Sequence, residues 1–138
     1  MVLPGITALL AASARLGAPI GHDFCVINLS DNLKSWDILK SRVIAAAKAD
    51  FVIAFYNPRS KSRKNQLSEI YDVLRKNCKS DRIVIYANSV STESEAIFET
   101  TLSEADASSV SMKTLVIIGS SSTKKIRDTG YILSLIHI

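Results

Sequence analysis

The chain has 138 residues, 47% of them hydrophobic and 22% charged, and its 17 Lys and Arg outweigh 13 Asp and Glu for a formal charge of +4. That length fits one domain able to bury roughly two-thirds of the surface its unfolded form exposes, so a core needs neither disulfides nor metal. The composition excludes disordered, collagenous and disulfide-rich classes.

No apolar run reaches the roughly 18–20 residues that span a bilayer, because Arg15, Lys34, Lys48 and Arg59 interrupt every candidate. The expectation is a soluble, cytoplasmic protein without a membrane partner. The apolar start lacks the form of a secretion signal, since Pro4 and Gly5 come first and Arg15 falls inside it. Cys25 and Cys78 stand apart, with no CxxC and no clustered His, so they read as two reduced thiols and no metal site is expected.

In chain order, Ile6, Leu9, Leu10 and Leu16 with small residues between predict a helix from Pro4 to Leu16, with Pro in its first turn and Gly17 as its stop. Residues 23–29 read as a strand. Trp36, Leu39, Val43 and Ala46 recur three to four apart, which places them on one face of a helix ending near Lys48. The run Phe51 to Tyr56 has the length and the β-branched and aromatic content of a strand buried on both faces. After a polar loop, a helix starting near Lys64 turns Leu67, Ile70, Tyr71 and Leu74 inward.

Residues 82–86 predict another buried strand, and residues 95–101 a half-exposed one with Ala96, Phe98 and Thr100 opposite Ile97. Residues 114–118 predict the last strand. Helices alternating with strands, then strand beside strand, imply an α/β layer with a mixed five-stranded sheet and flanking helices.

In such sheets ligands sit beyond the carboxyl ends of the strands. There the loop NPRSKSRK places Arg59, Lys61, Arg63 and Lys64 within six residues. It reads either as a solvated loop or as a grip on a multiply charged anion, for which Arg forks and Lys point charges suit carboxylate or phosphate. Nucleic acid is not expected, because no aromatic lies among these cations to stack on a base. The string GSSSTKK at 119–125 lacks the second Gly that a Walker A loop carries before its Lys. The opening VLPGIT leaves first-turn N–H groups free for an anion or polar ligand, or is an ordinary helix start. His22 and His137 have no acid or nucleophile at a triad spacing. No catalytic residue is assigned.

Read as strings, VLPGITALLAASARLGAPIGHDFCVINLSDNLKSW, ADFVIAFYNPRSKSRKNQ and TLVIIGSSSTKKI closely resemble the second half of the precorrin-3B C(17)-methyltransferase branch of the tetrapyrrole methylase family. The resemblance covers about Val2 to Ile126. It implies an S-adenosylmethionine-dependent enzyme of cobalamin biosynthesis that methylates ring carbon 17 of a corrinoid precursor, precorrin-3B or its cobalt form, with ring contraction.

The same resemblance implies two domains with both ligands between them. Residues 1–19 would be the helix leading from a missing N-terminal methylase domain with its GDPG loop, and 20–130 the C-terminal domain. The chain would then be a fragment inactive alone, or a half-enzyme pairing with a separate N-terminal domain or forming a homodimer. A non-catalytic tetrapyrrole-binding domain is the alternative.

Carried over by resemblance, Thr7 borders the cofactor site, and Tyr56 with Asn57 meets the methionine part of S-adenosylmethionine. The backbone of Ser89, Val90 and Ser91 reads the adenine, and Thr114 lies near the last contact. Arg59, Lys61 and Arg63 face the carboxylates of the corrinoid. Residues 131–138 do not resemble the family's end, so they are expected to be a non-native tail, with no strand partner for 133–138.

Overall fold

The computed structural model describes residues 1–32 and 34–134, and apolar spacing there resolves into three helices and eight strands. In chain order these are α1 (Ala8–Leu16), β1 (Gly17–Ala18), β2 (Phe24–Asn28), α2 (Trp36–Lys48), β3 (Val52–Tyr56), α3 (Gln66–Asn77), β4 (Ile83–Asn88), β5 (Ala96–Thr101), β6 (Thr114–Ile118), β7 (Thr123–Lys125) and β8 (Ile132–Ser134). Strands β2 to β6 make one mixed sheet in the order β2-β3-β6-β4-β5, and β1, β8 and β7 make a second, small one.

Period-two alternation sorts the main sheet's side chains between two cores. Ile53, Phe55, Val84, Tyr86, Val116 and Ile118 face α2 and α3, whereas Val52, Ala54, Ile85, Ala87, Leu115 and Ile117 face α1 and Ile132. The residues Val52 to Phe55 are fully buried, as expected for a strand covered on both faces, and β3 lies inside the sheet between β2 and β6. Helix α2 starts where Ser35 Oγ accepts the Ile38 N–H at 3.4 Å, and it buries Leu39, Val43, Ala46 and Ala47. Helix α3 buries Leu67, Ile70, Tyr71 and Leu74, the inward face read from their spacing. At the exposed edge, β5 turns Phe98 onto Tyr86, their rings stacked with centroids 4.8 Å apart, while Ile97 packs on the opposite side.

Two expectations are corrected. The first helix begins at Ala8 instead of Pro4, and residues 1–7 are exposed. Nothing packs on Ile6, so the helix starts only where Leu9 and Ala12 are buried and the Tyr56 hydroxyl meets the helix's N-terminus. Gly17 does stop it, at φ +111, and a Cβ there would come within 3.0 Å of Tyr131 Cβ.

Strand partners also exist for 133 and 134, contrary to the expectation for the tail. Leu133 pairs with Ala18 and Lys124, and Ser134 with Thr123. Ile132 is fully buried, and the Ser134 hydroxyl hydrogen-bonds Thr123 Oγ1 at 2.7 Å and the Pro19 carbonyl. The free backbone edges of β1 and β7 supply the ladder that makes this segment a strand. Residues 135–138 lie outside the described residues.

Candidate functional site at the carboxyl edge of the sheet

Strands β2, β3 and β4 run parallel, and β5 and β6 run against them. The carboxyl ends of the first three therefore share one sheet edge with the starts of the last two. Thr7, Tyr56, Asn57, Ser89, Val90 and Thr114, up to 107 positions apart in the chain, all gather along this edge.

At the end of β3, Tyr56 is half-buried, and its hydroxyl accepts the Leu9 N–H at 2.9 Å and hydrogen-bonds Thr7 Oγ1. One hydroxyl thus satisfies an orphan donor at the start of α1 and ties the segment before it to the sheet. Asn57 adopts φ +51, and its Nδ2 donates to Oδ1 of Asn28 at 3.1 Å, so the ends of β3 and β2 are joined side chain to side chain.

At the end of β4, Asn88 Oδ1 accepts from the Thr114 hydroxyl, which in turn accepts the Ser111 N–H at 2.9 Å. The loop that follows holds Ser89 at φ +47 and Ser91 at φ +64. Its Ser89 carbonyl accepts from the Thr92 N–H at 3.1 Å and the Thr92 hydroxyl at 2.7 Å, and Glu95 Oε2 accepts the Ser91 N–H at 2.6 Å. Val90 packs its side chain against the core shared with α1, leaving the loop's backbone as its outer surface. Among the described residues, three of the four non-glycine positive-φ residues (Asn57, Ser89 and Ser91) lie on this edge, the fourth being Asp50. Each costs on the order of 1–3 kcal/mol, and such strain concentrates at ligand sites.

The basic loop is divided by the structure. Arg59 Nη1 donates to the carbonyls of Ser108 at 3.0 Å and Ala107 at 3.3 Å. Arg63 Nη1 donates to Asp31 Oδ1 at 2.5 Å and Asn32 Oδ1 at 2.8 Å, and its Nε to Ser60 Oγ at 3.2 Å. The hydrogen bond from Arg63 holds the Asp31 carboxyl below the usual carboxylate range. Both arginines therefore brace the loop against neighbouring connections. Lys61 and Lys64 are exposed, with no hydrogen bond or ion pair to either among the described residues. Two carboxylates along this edge are engaged too, Asp31 by Arg63 and Glu95 by Ser91 and Arg15 (3.4 Å), while Glu93 of the same loop is exposed, with no hydrogen bond or ion pair to it among the described residues.

The other sequence candidates lie elsewhere. In GSSSTKK, beyond the opposite edge, the Ser121 N–H donates to Asp50 Oδ1 at 2.8 Å, so a carboxylate of the chain occupies the position a phosphate would need. Burial raises the Asp50 pKa, but the hydrogen bonds from Ser121 and the charge of Arg82 hold it below the usual range. His22 also lies at the opposite edge, beside Asp23 at 3.8 Å, and His137 lies outside the described residues. Burial raises both thiols, Cys25 and Cys78. No group of three metal-ligating side chains and no helix able to cross a membrane occurs among the described residues.

Sequence reasoning missed Asn28 and Asn88, each the last residue of its strand. It also missed an open cavity of about 540 Å³ beside Asn28, lined by Asn28, Ser30, Asn32, Lys34 and Arg42.

Comparison with known proteins bears on what this edge serves. A family signature described as Tetrapyrrole (Corrin/Porphyrin) Methylases matches residues 1–106. The chain is 47% identical over 130 residues to a precorrin-3B C(17)-methyltransferase of Sinorhizobium sp, covering 94% of this chain and 51% of that protein. It is 43% identical over 122 residues to a probable cobalt-factor III C(17)-methyltransferase of Salmonella typhimurium, covering 88% and 51%. The chain thus spans about half the length of these curated relatives.

Among solved structures, the methyltransferase CobJ superposes with a TM-score of 0.92 at 45% identity, over 97% of this chain and 55% of that one. A uroporphyrin-III C-methyl transferase from Thermus thermophilus, complexed with S-adenyl homocysteine, shares the fold, with a TM-score of 0.58 at 19% identity over 86% and 49%. With a family signature over most of its length and an architecture that superposes on those methylases, the chain belongs to the tetrapyrrole methylase family.

Proposed function

We propose that this chain is the C-terminal half of an S-adenosylmethionine-dependent C-methyltransferase that acts at carbon 17 of precorrin-3B or its cobalt form, with ring contraction, in cobalamin biosynthesis. The observation that carries the reading is the convergence of Thr7, Tyr56, Asn57, Ser89, Val90 and Thr114 on one strained sheet edge, in a chain nearly half identical to a protein of that name.

S-adenosylmethionine supplies an activated methyl group when bound, so the chain needs no covalent nucleophile. Its contribution is placement and exclusion of water. Tyr56 and Asn57 wall the methionine end, the Val90 backbone within the Ser89–Val90–Ser91 loop meets the adenine edge while the Ser89 N–H and carbonyl and the Ser91 N–H hold the loop's shape, and Thr7 and Thr114 close the two sides. On the substrate side Lys61 presents its charge to the corrinoid's carboxylates, while Arg59 and Arg63 hold the loop that carries it. A site built between two domains loses its effective molarity when one wall is missing, because the sulfonium and the ring carbon are no longer aligned.

Calorimetry of the purified chain with S-adenosylmethionine, alone and co-expressed with the N-terminal half of the Sinorhizobium relative, tests this. The chain alone is expected to bind on the order of millimolar, about 4 kcal/mol, without turnover, and the pair at least tenfold more tightly. Micromolar binding with turnover by the chain alone overturns the half-site reading. Tetrapyrrole binding by the pair without cofactor binding replaces a methyltransferase with a binding module.

A further inference from the structure

The open cavity beside Asn28 carries charge that neither the loop at 57–63 nor the cofactor edge uses. It lies where β2 runs into the connection before α2, with Lys34 on that connection and Arg42 on the helix. Among the described residues its lining holds two cations (Lys34 and Arg42), three neutral polar side chains and no acid. The nearest acid in sequence, Asp31, is drawn off by Arg63 and lines a different depression.

The hydrogen bonds around the cavity leave it rich in donors. Asn28 Oδ1 already accepts the Ser30 N–H at 2.9 Å and Asn57 Nδ2 at 3.1 Å. Asn32 Oδ1 already accepts Arg63 Nη1 at 2.8 Å. The Asn28 oxygen has therefore filled both lone pairs and the Asn32 oxygen one, while neither NH2 group has an acceptor among the described residues. This network also fixes which atom of each amide is nitrogen. Lys34 gives one of its three donors to the Asn28 carbonyl, at 2.6 Å, and Arg42 has no acceptor for its five N–H groups among the described residues. A lysine ammonium, a guanidinium, two amide NH2 groups and the Ser30 hydroxyl match a ligand group that only accepts and carries negative charge. At about 540 Å³ the space is many times the roughly 30 Å³ share of one water, enough for a flexible carboxylate arm.

Through Asn28, shared with Asn57, this cavity adjoins the cofactor edge. We propose that Lys34 and Arg42, with the amides of Asn28 and Asn32, form a carboxylate-binding subsite that seats an acidic side arm of the tetrapyrrole and sets the ring's rotation against the methyl donor. The subsite is then the main anchor, with Arg59 and Arg63, whose Nη1 groups are held by chain acceptors, bracing the loop beside it. The assignment rests on the tetrapyrrole reading above for the identity of the arm.

The test is a titration of the isotope-labelled 138-residue chain, followed by two-dimensional amide NMR, with uroporphyrin III as the carboxylated probe and inorganic phosphate and S-adenosylhomocysteine as separate arms. Uroporphyrin is expected to shift the amides of Ser30, Asn32 and Lys34 first. The double substitution K34A/R42A should weaken its binding at least tenfold, R42K should retain affinity to within about threefold, and the shifts that S-adenosylhomocysteine induces at Ser89 and Val90 should be unchanged in every variant.

Absence of uroporphyrin shifts at Ser30 to Lys34, or full affinity in the double variant with shifts confined to Lys61 and Lys64, overturns the subsite. Phosphate binding there as tightly as the porphyrin overturns it as well, since that marks a general anion site. The S-adenosylhomocysteine arm reports separately on the methyltransferase reading, so either can fail while the other stands.

Discussion

Replacing Tyr56 with Phe deletes one hydroxyl and leaves the half-buried ring in place. The hydroxyl is the acceptor for the Leu9 N–H at 2.9 Å and the partner of Thr7 Oγ1. Thr7 itself makes no side-chain cap to α1, so in the variant the Leu9 amide, beside a side chain only 2% exposed, loses its only cap. Removing a helix cap costs about 0.5–2 kcal/mol, and stranding a part-buried donor about 1–3. Because the start of α1 is partly open to water, about 1–2 kcal/mol is expected for Y56F.

At roughly 3–5 °C per kcal/mol for a chain of this size, that is a fall in Tm of about 3–10 °C by circular dichroism. Amide exchange at Leu9 and Leu10 should accelerate, while exchange in β4 and β6 follows only the global change. Thr7→Ala, which leaves the Leu9 N–H its acceptor, should cost under about 1 kcal/mol. An unchanged Tm with unchanged protection at Leu9 would refute the claim that Tyr56 starts this helix, and with it the tie between the N-terminal segment and the site.

Two further outcomes are expected. The Asp31 carboxyl is depressed chiefly by the Arg63 hydrogen bond, so its contribution to stability is present above the ordinary Asp value of about 3.9 and is lost as pH falls through the lower folded value. Arg63→Ala should return the Asp31 midpoint, read by side-chain carboxyl NMR, to the ordinary range, and an equally low midpoint in the variant would show that Arg63 is not the cause. Truncation after Ile132 removes the ladder pairs of Leu133 and Ser134 and the Ser134 bonds to Thr123 and Pro19, which should cost about 2 kcal/mol or more and lower Tm by about 6 °C or more. A shift under about 2 °C would mean that the pairing of Leu133 and Ser134 contributes nothing to the fold.

Much of the layer was legible from residue order alone. Val52 to Phe55 and Leu115 to Ile118 are apolar at successive positions because both faces of each strand are covered, and Leu67, Ile70, Tyr71 and Leu74 are spaced by the helical turn because one face is. Burial is a demand that each residue meets with its own chemistry, so it leaves a local trace.

Other features depend on groups far apart in the chain. Strand β6 inserts between β3 and β4, α1 starts at Ala8 because the Leu9 N–H meets a hydroxyl 47 positions later, and Leu133 finds its parallel partner in Ala18. The partners of the cations are likewise set by tertiary contacts. Arg59 and Arg63 look as unpartnered as Lys34 and Arg42 when read in sequence, yet in the first pair Nη1 donates to acceptors about 30 to 50 positions away. A hydrogen bond across the fold leaves no periodicity on either partner, so only the folded chain determines which donors are satisfied and which face an open cavity.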